Sequence, residues 1–175
     1  MTKKRAYTKY LCYALIILLC DLLQNTAGLF PEIASARCFL LLPVSIILSM
    51  GEDEKNGAFI GLFAGLLWDL FSGVHMGFNC IFIMIMCFFS SALVTYIARD
   101  NFITNMISSA ATTALYCFIY WLLFIIIKNV KGAEMTLLTF YIPSMIYTLA
   151  LTPLIWLILK PVKKKFTGIT VSDIK

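Results

Sequence analysis

Six apolar runs, separated by short polar stretches, make up most of the chain, and each predicts a helix that crosses a bilayer. They cover about residues 10–30, 33–50, 57–71, 76–98, 103–127 and 137–159. The first follows Lys3, Lys4, Arg5 and Lys9, as the apolar part of a signal peptide does, but the later runs favour an uncleaved helix. Leu18-Leu19-Cys20 lacks the small residue that a lipoprotein cleavage site places before its cysteine. The second run carries Pro43, which a membrane helix tolerates where neighbours satisfy the freed carbonyl. The third is short: its fifteen positions reach about 22 Å against a hydrocarbon core of about 30 Å, so it needs local thinning or burial among other helices. The sixth holds Pro143 and Pro153.

Composition narrows the solvent. Hydrophobic residues are 61% of the 175 positions and charged residues 13%, where soluble domains carry about 45–50% and about 25%. With a mean hydropathy of +0.92, the chain reads as one polytopic, all-α integral membrane domain, residues 1–175, with six transmembrane helices. The six cysteines (Cys12, Cys20, Cys38, Cys80, Cys87, Cys117) form no Cys-x-x-Cys pair and lie in or beside apolar runs, so they read as small hydrophobes. His75 is the one imidazole, too few for a clustered zinc site. No cofactor or metal is expected. The nucleophile elbow, zincin, Walker and dinucleotide patterns are absent, which argues against an enzyme.

Basic residues set the expected orientation. Six crossings put both ends on one side. That side holds Lys3, Lys4, Arg5, Lys9, Lys55, Arg99, Lys160, Lys163, Lys164, Lys165 and Lys175, against Arg37, Lys128 and Lys131 on the other. Lys and Arg near membrane helices are retained in the cytoplasm, so both termini are expected inside the cell membrane. The tail Lys160-Pro-Val-Lys-Lys-Lys165 anchors that topology, and near anionic lipid each charge adds about 1 kcal/mol of attraction. The net charge of +5 therefore gives no reason to expect nucleic acid. The acidic loop at Glu52, Asp53 and Glu54 reads as a solvated turn on the same side.

The densest pattern runs from Gly57 to Gly77. Gly57, Gly61 and Gly65 recur every fourth residue and so share one helix face, where the absence of side chains lets another backbone approach. Asp69 ends that stripe. Facing lipid at a helix centre an aspartate costs about 2.5–3.5 kcal/mol, so its presence needs a reason. Four are open: a proton or ion relay, a substrate contact, an interhelical anchor, or a cap for backbone donors at the next turn. A relay needs companions, and the other acid well inside a span is Asp21. Ser72, Gly73 and Gly77 suit a tight reversal, where Asp69 can accept bonds from Ser72 or from the start of the fourth helix. His75, in that corner, reads as a solvated loop residue or as a pH-sensitive contact to Asp69 or a partner. Asp21, with Gln24 and Asn25, either lines a cavity or bridges to Ser108, Ser109, Thr112 or Thr113 of the fifth span. Trp68, Trp121, Trp156, Tyr7, Tyr10, Tyr96 and Tyr141 read as interfacial anchors.

The run Gly61-x-x-x-Gly65-Leu-Leu-x-Asp69-x-x-Ser72-Gly73-x-x-x-Gly77-x-Asn79 resembles the signature of the rod shape-determining protein MreD family. The specific part spans about residues 57–79, and the rest of the likeness is hydropathy and length. The resemblance implies a non-catalytic membrane component of the bacterial elongation machinery. It would be associated with the single-pass protein MreC, acting with a glycan polymerase and a class B penicillin-binding protein to organise or regulate lateral peptidoglycan synthesis. It also implies a fold similar to the substrate-binding subunits of energy-coupling-factor transporters, which makes a vitamin-binding transporter subunit the alternative. Against that alternative, residues 10–30 lack the Ala-x-x-x-Ala docking stripe of those subunits, and Ser72 to His75 is shorter than their gating loops. In the favoured reading the third and fourth spans form a stiff hairpin, packed by Gly61, Gly65, Gly73 and Gly77 and tied by Asp69, which presents a groove to a partner's membrane helix; with Gly57, Ser72 and Asn79 these residues make up the expected helix-packing or partner interface.

Overall fold

The computed structural model describes residues 2–26, 37–72, 76–127 and 133–166. Among them there is no strand, and the helices are α1 (Thr2–Asn25), α2 (Leu41–Ser49), α3 (Glu54–Ser72), α4 (Phe78–Tyr96), α5 (Phe102–Trp121), α6 (Ala133–Thr136) and α7 (Ile142–Phe166). A π-helical stretch, Leu122–Ile126, extends α5, and another, Leu137–Tyr141, joins α6 to α7 in one rod. The second π stretch ends just before Pro143, whose ring clashes with the carbonyl four residues back, so widening the helix there removes the conflict. Among the described residues four segments are long and apolar enough to cross a membrane: Tyr7–Asn25, Phe78–Tyr96, Phe102–Ile126 and Glu134–Phe166.

The two expected spans outside that set depart from expectation in opposite ways. The third run gains a turn at its start, because Glu54, Lys55 and Asn56 are helical and not a solvated loop. Its 19 residues reach about 28 Å. The second run shrinks. Only Leu41–Ser49 is helical, residues 33–36 lie outside the described residues, and Arg37 to Phe39 are not helical. Pro43 stands in the first turn of α2, where its missing N–H would have had no helical partner, so no carbonyl needs rescue. All nine residues of α2 are buried, and the helix packs against α1, α3, α4, α5 and α7. It forms the centre of the bundle.

A non-helical backbone inside such a bundle must satisfy its polar groups from elsewhere. Here side chains do so. The Arg37 N–H donates to Ser144 Oγ at 3.0 Å, the Phe39 N–H to Thr148 Oγ1 at 3.0 Å, and the Leu41 N–H to Gln24 Oε1 at 2.9 Å. Thr148→Val keeps the shape but strips the acceptor from a buried N–H. It should cost about 1–3 kcal/mol of stability, read as a lower thermal midpoint of the purified protein, with Thr148→Ser close to wild type.

The interior carries many small polar side chains, and much of the exterior is apolar. Ser45, Ser49, Ser91, Asn105, Ser109, Thr113, Ser144 and Thr148 are fully buried, whereas Leu11, Leu19, Phe59, Ile107 and Leu157 are exposed to what the hydropathy marks as lipid. Helices in lipid gain from small residues and hydroxyls at their contacts, not from excluding water. Ser91 Oγ donating to the Ser49 carbonyl at 2.8 Å ties α4 to α2 in this way.

The end that carries the termini is closed by ion pairs. Lys9 is not a solvated flanking charge: its Nζ lies 2.6 Å from Glu52 Oε1, and both side chains are buried. Tyr10 Oη donates to the same carboxylate at 3.3 Å. Burial pushes the Glu52 carboxyl up from its ordinary range, and the Lys9 ammonium and the neighbouring hydroxyls pull it back. Lys163 Nζ lies 2.7 Å from Asp100 Oδ2, beside Gly51, whose φ of +99° only glycine adopts at ease. Lys9→Met strands a buried carboxylate and should cost about 3–5 kcal/mol, while Lys9→Met with Glu52→Leu should recover most of the thermal midpoint.

Candidate functional site

The glycine face of α3 meets α4 along its length, and this is the most extensive helix contact in the chain. A Cβ on Gly61 would lie 2.6 Å from the Ile83 carbonyl oxygen and 2.9 Å from Met84 Cα. One on Gly65 would lie 2.6 Å from the Asn79 carbonyl oxygen and would run into Cys80 Cα. At Gly57 it would strike the Ser91 side chain. The two backbones approach as closely as the missing side chains permit. The stripe is therefore covered by this chain's own α4, as the packed hairpin expects, and the groove for a partner's helix does not lie along it.

Gly77 belongs to a different mechanism. No atom lies within 4 Å of where its Cβ would be, but its φ is +94°, the left-handed turn that leads into α4. It serves the corner by conformation and not the seam by size. Gly73 and His75 lie outside the described residues, as does the Ser72 side chain.

Asp69 acts as the cap. Its Oδ2 accepts the Gly77 N–H at 2.9 Å and the Cys80 N–H at 3.0 Å, the orphan donors at the start of α4. Its Oδ1 accepts from Asn79 Nδ2 at 2.9 Å, and Asn79 Oδ1 in turn accepts from Tyr116 Oη at 2.8 Å. A carboxylate at a helix N-terminus also meets the positive end of the helix dipole. One acid thus joins the end of α3 to the start of α4 and, through Asn79, to α5. Of the four readings of Asp69, the contacts match the cap and the interhelical anchor.

Tyr116 was not singled out by any sequence pattern, yet it sits at the centre of an aromatic cluster. It stacks on Trp68 with ring centres 5.2 Å apart and meets Phe39 at 5.5 Å and Phe82 at 5.4 Å. Trp68 and Tyr141 are accordingly buried core residues and not interfacial anchors. Around this cluster lies a cavity of about 400 Å³, bounded by Gln24, Arg37, Trp68, Asn79, Tyr116 and Tyr141 among others. It opens at the end of the bundle away from the ion pairs.

Asp21 does not bridge to α5. It is fully buried, its Oδ1 accepts from Asn25 Nδ2 at 3.0 Å on its own helix, and its Oδ2 has no hydrogen-bond partner among the described residues. Of the α5 hydroxyls, Ser108 pairs with Ser90 at 2.9 Å and Thr113 donates to the Ser109 carbonyl, while Ser109 Oγ and Thr112 Oγ1 are buried without a hydrogen-bond partner among the described residues. Among the described residues no group of three His, Cys, Asp or Glu side chains stands where it could hold a metal ion.

With this geometry in place, comparison with known proteins is decisive at one level. The profile of the rod shape-determining protein MreD family matches residues 5–166, nearly the whole chain. The chain belongs to the MreD family. No curated protein and no solved structure matches it. Membership extends the likeness well beyond the Gly57–Asn79 run, and with the four membrane-crossing helices it makes the chain a multi-pass membrane protein with a role in rod shape determination.

Proposed function

We propose that this MreD-family chain is a non-catalytic component of the bacterial cell-elongation complex, held in the plasma membrane with both termini in the cytoplasm. There it binds an MreC-like single-pass protein and helps organise or regulate lateral peptidoglycan synthesis by a glycan polymerase and a class B penicillin-binding protein. The family match over residues 5–166 carries the reading. It is supported by a site that spends its acid and its glycines on rigidity, with Asp69 fully engaged in capping and bracing. With α4 over the glycines, the partner's helix is assigned to the opposite flank of α3, where Phe59, Leu66 and Leu70 are exposed and an apolar groove runs between α1 and α3 past Tyr13 and Phe63.

Photo-crosslinking groups at Phe59 and Leu66 should capture the single-pass protein in native membranes, and one at Ile107 on α5 should not. Capture from Ile107 alone would move the interface. Failure of any such protein to co-purify would remove the scaffold role.

The second reading, a substrate-binding subunit of a vitamin transporter with the fold of those subunits, is favoured by the cavity around Trp68 and Tyr116. A vitamin retained through purification, seen by native mass spectrometry, would support it over the scaffold.

A further inference from the structure

The cavity at the α1–α3–α4–α5 end has no part in the scaffold reading, and its lining is unusual for a membrane interior. Its volume, about 400 Å³, lies within the range of about 300–1,000 Å³ typical of small-molecule sites. Among the described residues that line it, seven are aromatic and none is a carboxylate. The aromatic faces come from α3 (Trp68), from the link before α2 (Phe39), from α5 (Tyr116 and Tyr120) and from the π stretch before α7 (Tyr141). The hydrogen-bonding groups also come from several directions. Gln24 and Asn25 reach it from α1, Arg37 from the link and Asn79 from α4.

The walls are braced. Asn79 is held between Asp69 and Tyr116, and the link is pinned by Ser144, Thr148 and Gln24. A site whose walls are fixed before binding loses less on ligand capture.

We propose that this cavity binds a neutral pyranose, such as an N-acetylated hexosamine unit. Three features choose that class. A ring with apolar C–H faces and hydroxyls around its whole rim matches aromatic walls with planar amides and phenols spread among four elements, whereas a planar heteroaromatic acid places its polar atoms along one edge. A cation finds no carboxylate among the described lining residues and meets the Arg37 guanidinium. Gln24 and Asn25 each give one end of the amide to the fold, at the Leu41 N–H and at Asp21, and a purely aliphatic occupant makes no use of the other end. The inference rests on the cell-elongation reading for one point, the orientation that turns this end of the bundle outward.

The test uses the full chain in lipid nanodiscs, free of sugar-headed detergents. Trp121→Phe and Trp156→Phe leave Trp68 as the sole indole of the original three. Titration with N-acetylglucosamine should give a saturable change in Trp68 emission. Tyr141→Phe, which removes one hydroxyl and keeps the ring, and Asn25→Leu should each weaken binding by about fivefold or more. No saturable change up to about 10 mM sugar overturns the proposal. So does saturation by nicotinate without saturation by the sugar, or an unchanged midpoint in both variants. A lost sugar response with the single-pass partner still co-purifying removes this inference and leaves the scaffold role. A retained response with no partner does the reverse.

Discussion

Gly65→Leu should abolish recovery of folded protein, because no rearrangement of the new side chain can satisfy α3 and α4 together. The obstruction begins at Cβ, which falls on the Asn79 carbonyl and Cys80 Cα. Both belong to the backbone at the start of α4, and the Asp69 cap fixes that backbone at Gly77 and Cys80. A flexible neighbour could swing aside, but a capped helix start cannot. Overpacking a close-packed core commonly costs about 1–3 kcal/mol, and here the remaining three carbons must also find room. Gly65→Ala should already lower the thermal midpoint measurably, since its Cβ alone forces the helices apart. Gly57→Ala should be milder, because its nearest obstacle is the Ser91 hydroxymethyl group and not backbone, though Ser91 would give up its bond to the Ser49 carbonyl. Size-exclusion recovery and thermal unfolding of the three variants should rank Gly65→Leu, Gly65→Ala and Gly57→Ala in decreasing severity. Wild-type behaviour of Gly65→Leu would mean that α4 does not lie on this face.

That ranking also shows which parts of the structure were legible in the sequence. Glycines four apart mark a face that a helix must approach, and the sequence places that face correctly, but it does not say whose helix arrives. Lipid tails and leucine side chains are equally apolar, so a hydropathy run does not separate a helix that faces lipid from one enclosed by protein. Residues 41–49 illustrate the loss: they read as half of a span and prove to be a buried central helix. The link that precedes them depends on hydroxyls 107 and 109 residues away, a separation no local pattern carries. Lys9 and Glu52 were read as a flanking charge and a turn residue because each sits in a polar stretch, and only the chain's return across 43 residues makes them a buried pair. Tyr116 lies in an unbroken apolar run, where one more aromatic residue carries no signal. Asp69 was the easier case. An acid one turn before a glycine corner has few partners within reach, and the backbone donors of the next helix are among them.

Asp69→Ala should be the most damaging change that adds no atoms. Three donors converge on the carboxylate: the Gly77 and Cys80 N–H groups and the Asn79 amide. The Asn79 amide is buried and the two N–H groups are half-buried; a buried donor left without a partner costs about 1–3 kcal/mol, so the combined loss is a large share of the about 5–15 kcal/mol that holds an ordinary domain together. Asp69→Asn separates structure from charge. Its amide oxygen can still accept one or two of these bonds, but its NH2 group then opposes a donor, so an intermediate melting point is expected, with partner co-purification retained. Were the acid a proton carrier, the order would be different: the amide would be as inactive as alanine while melting like wild type. Asn79→Asp probes the next link, since it sets a second carboxylate against Asp69 and removes the amide that donates to it. It should lower the melting point further than Asn79→Leu, which removes the same donor without adding a charge. Equal melting points for the two variants would show that the Asn79 donor, and not the charge balance of the pair, is what the corner requires.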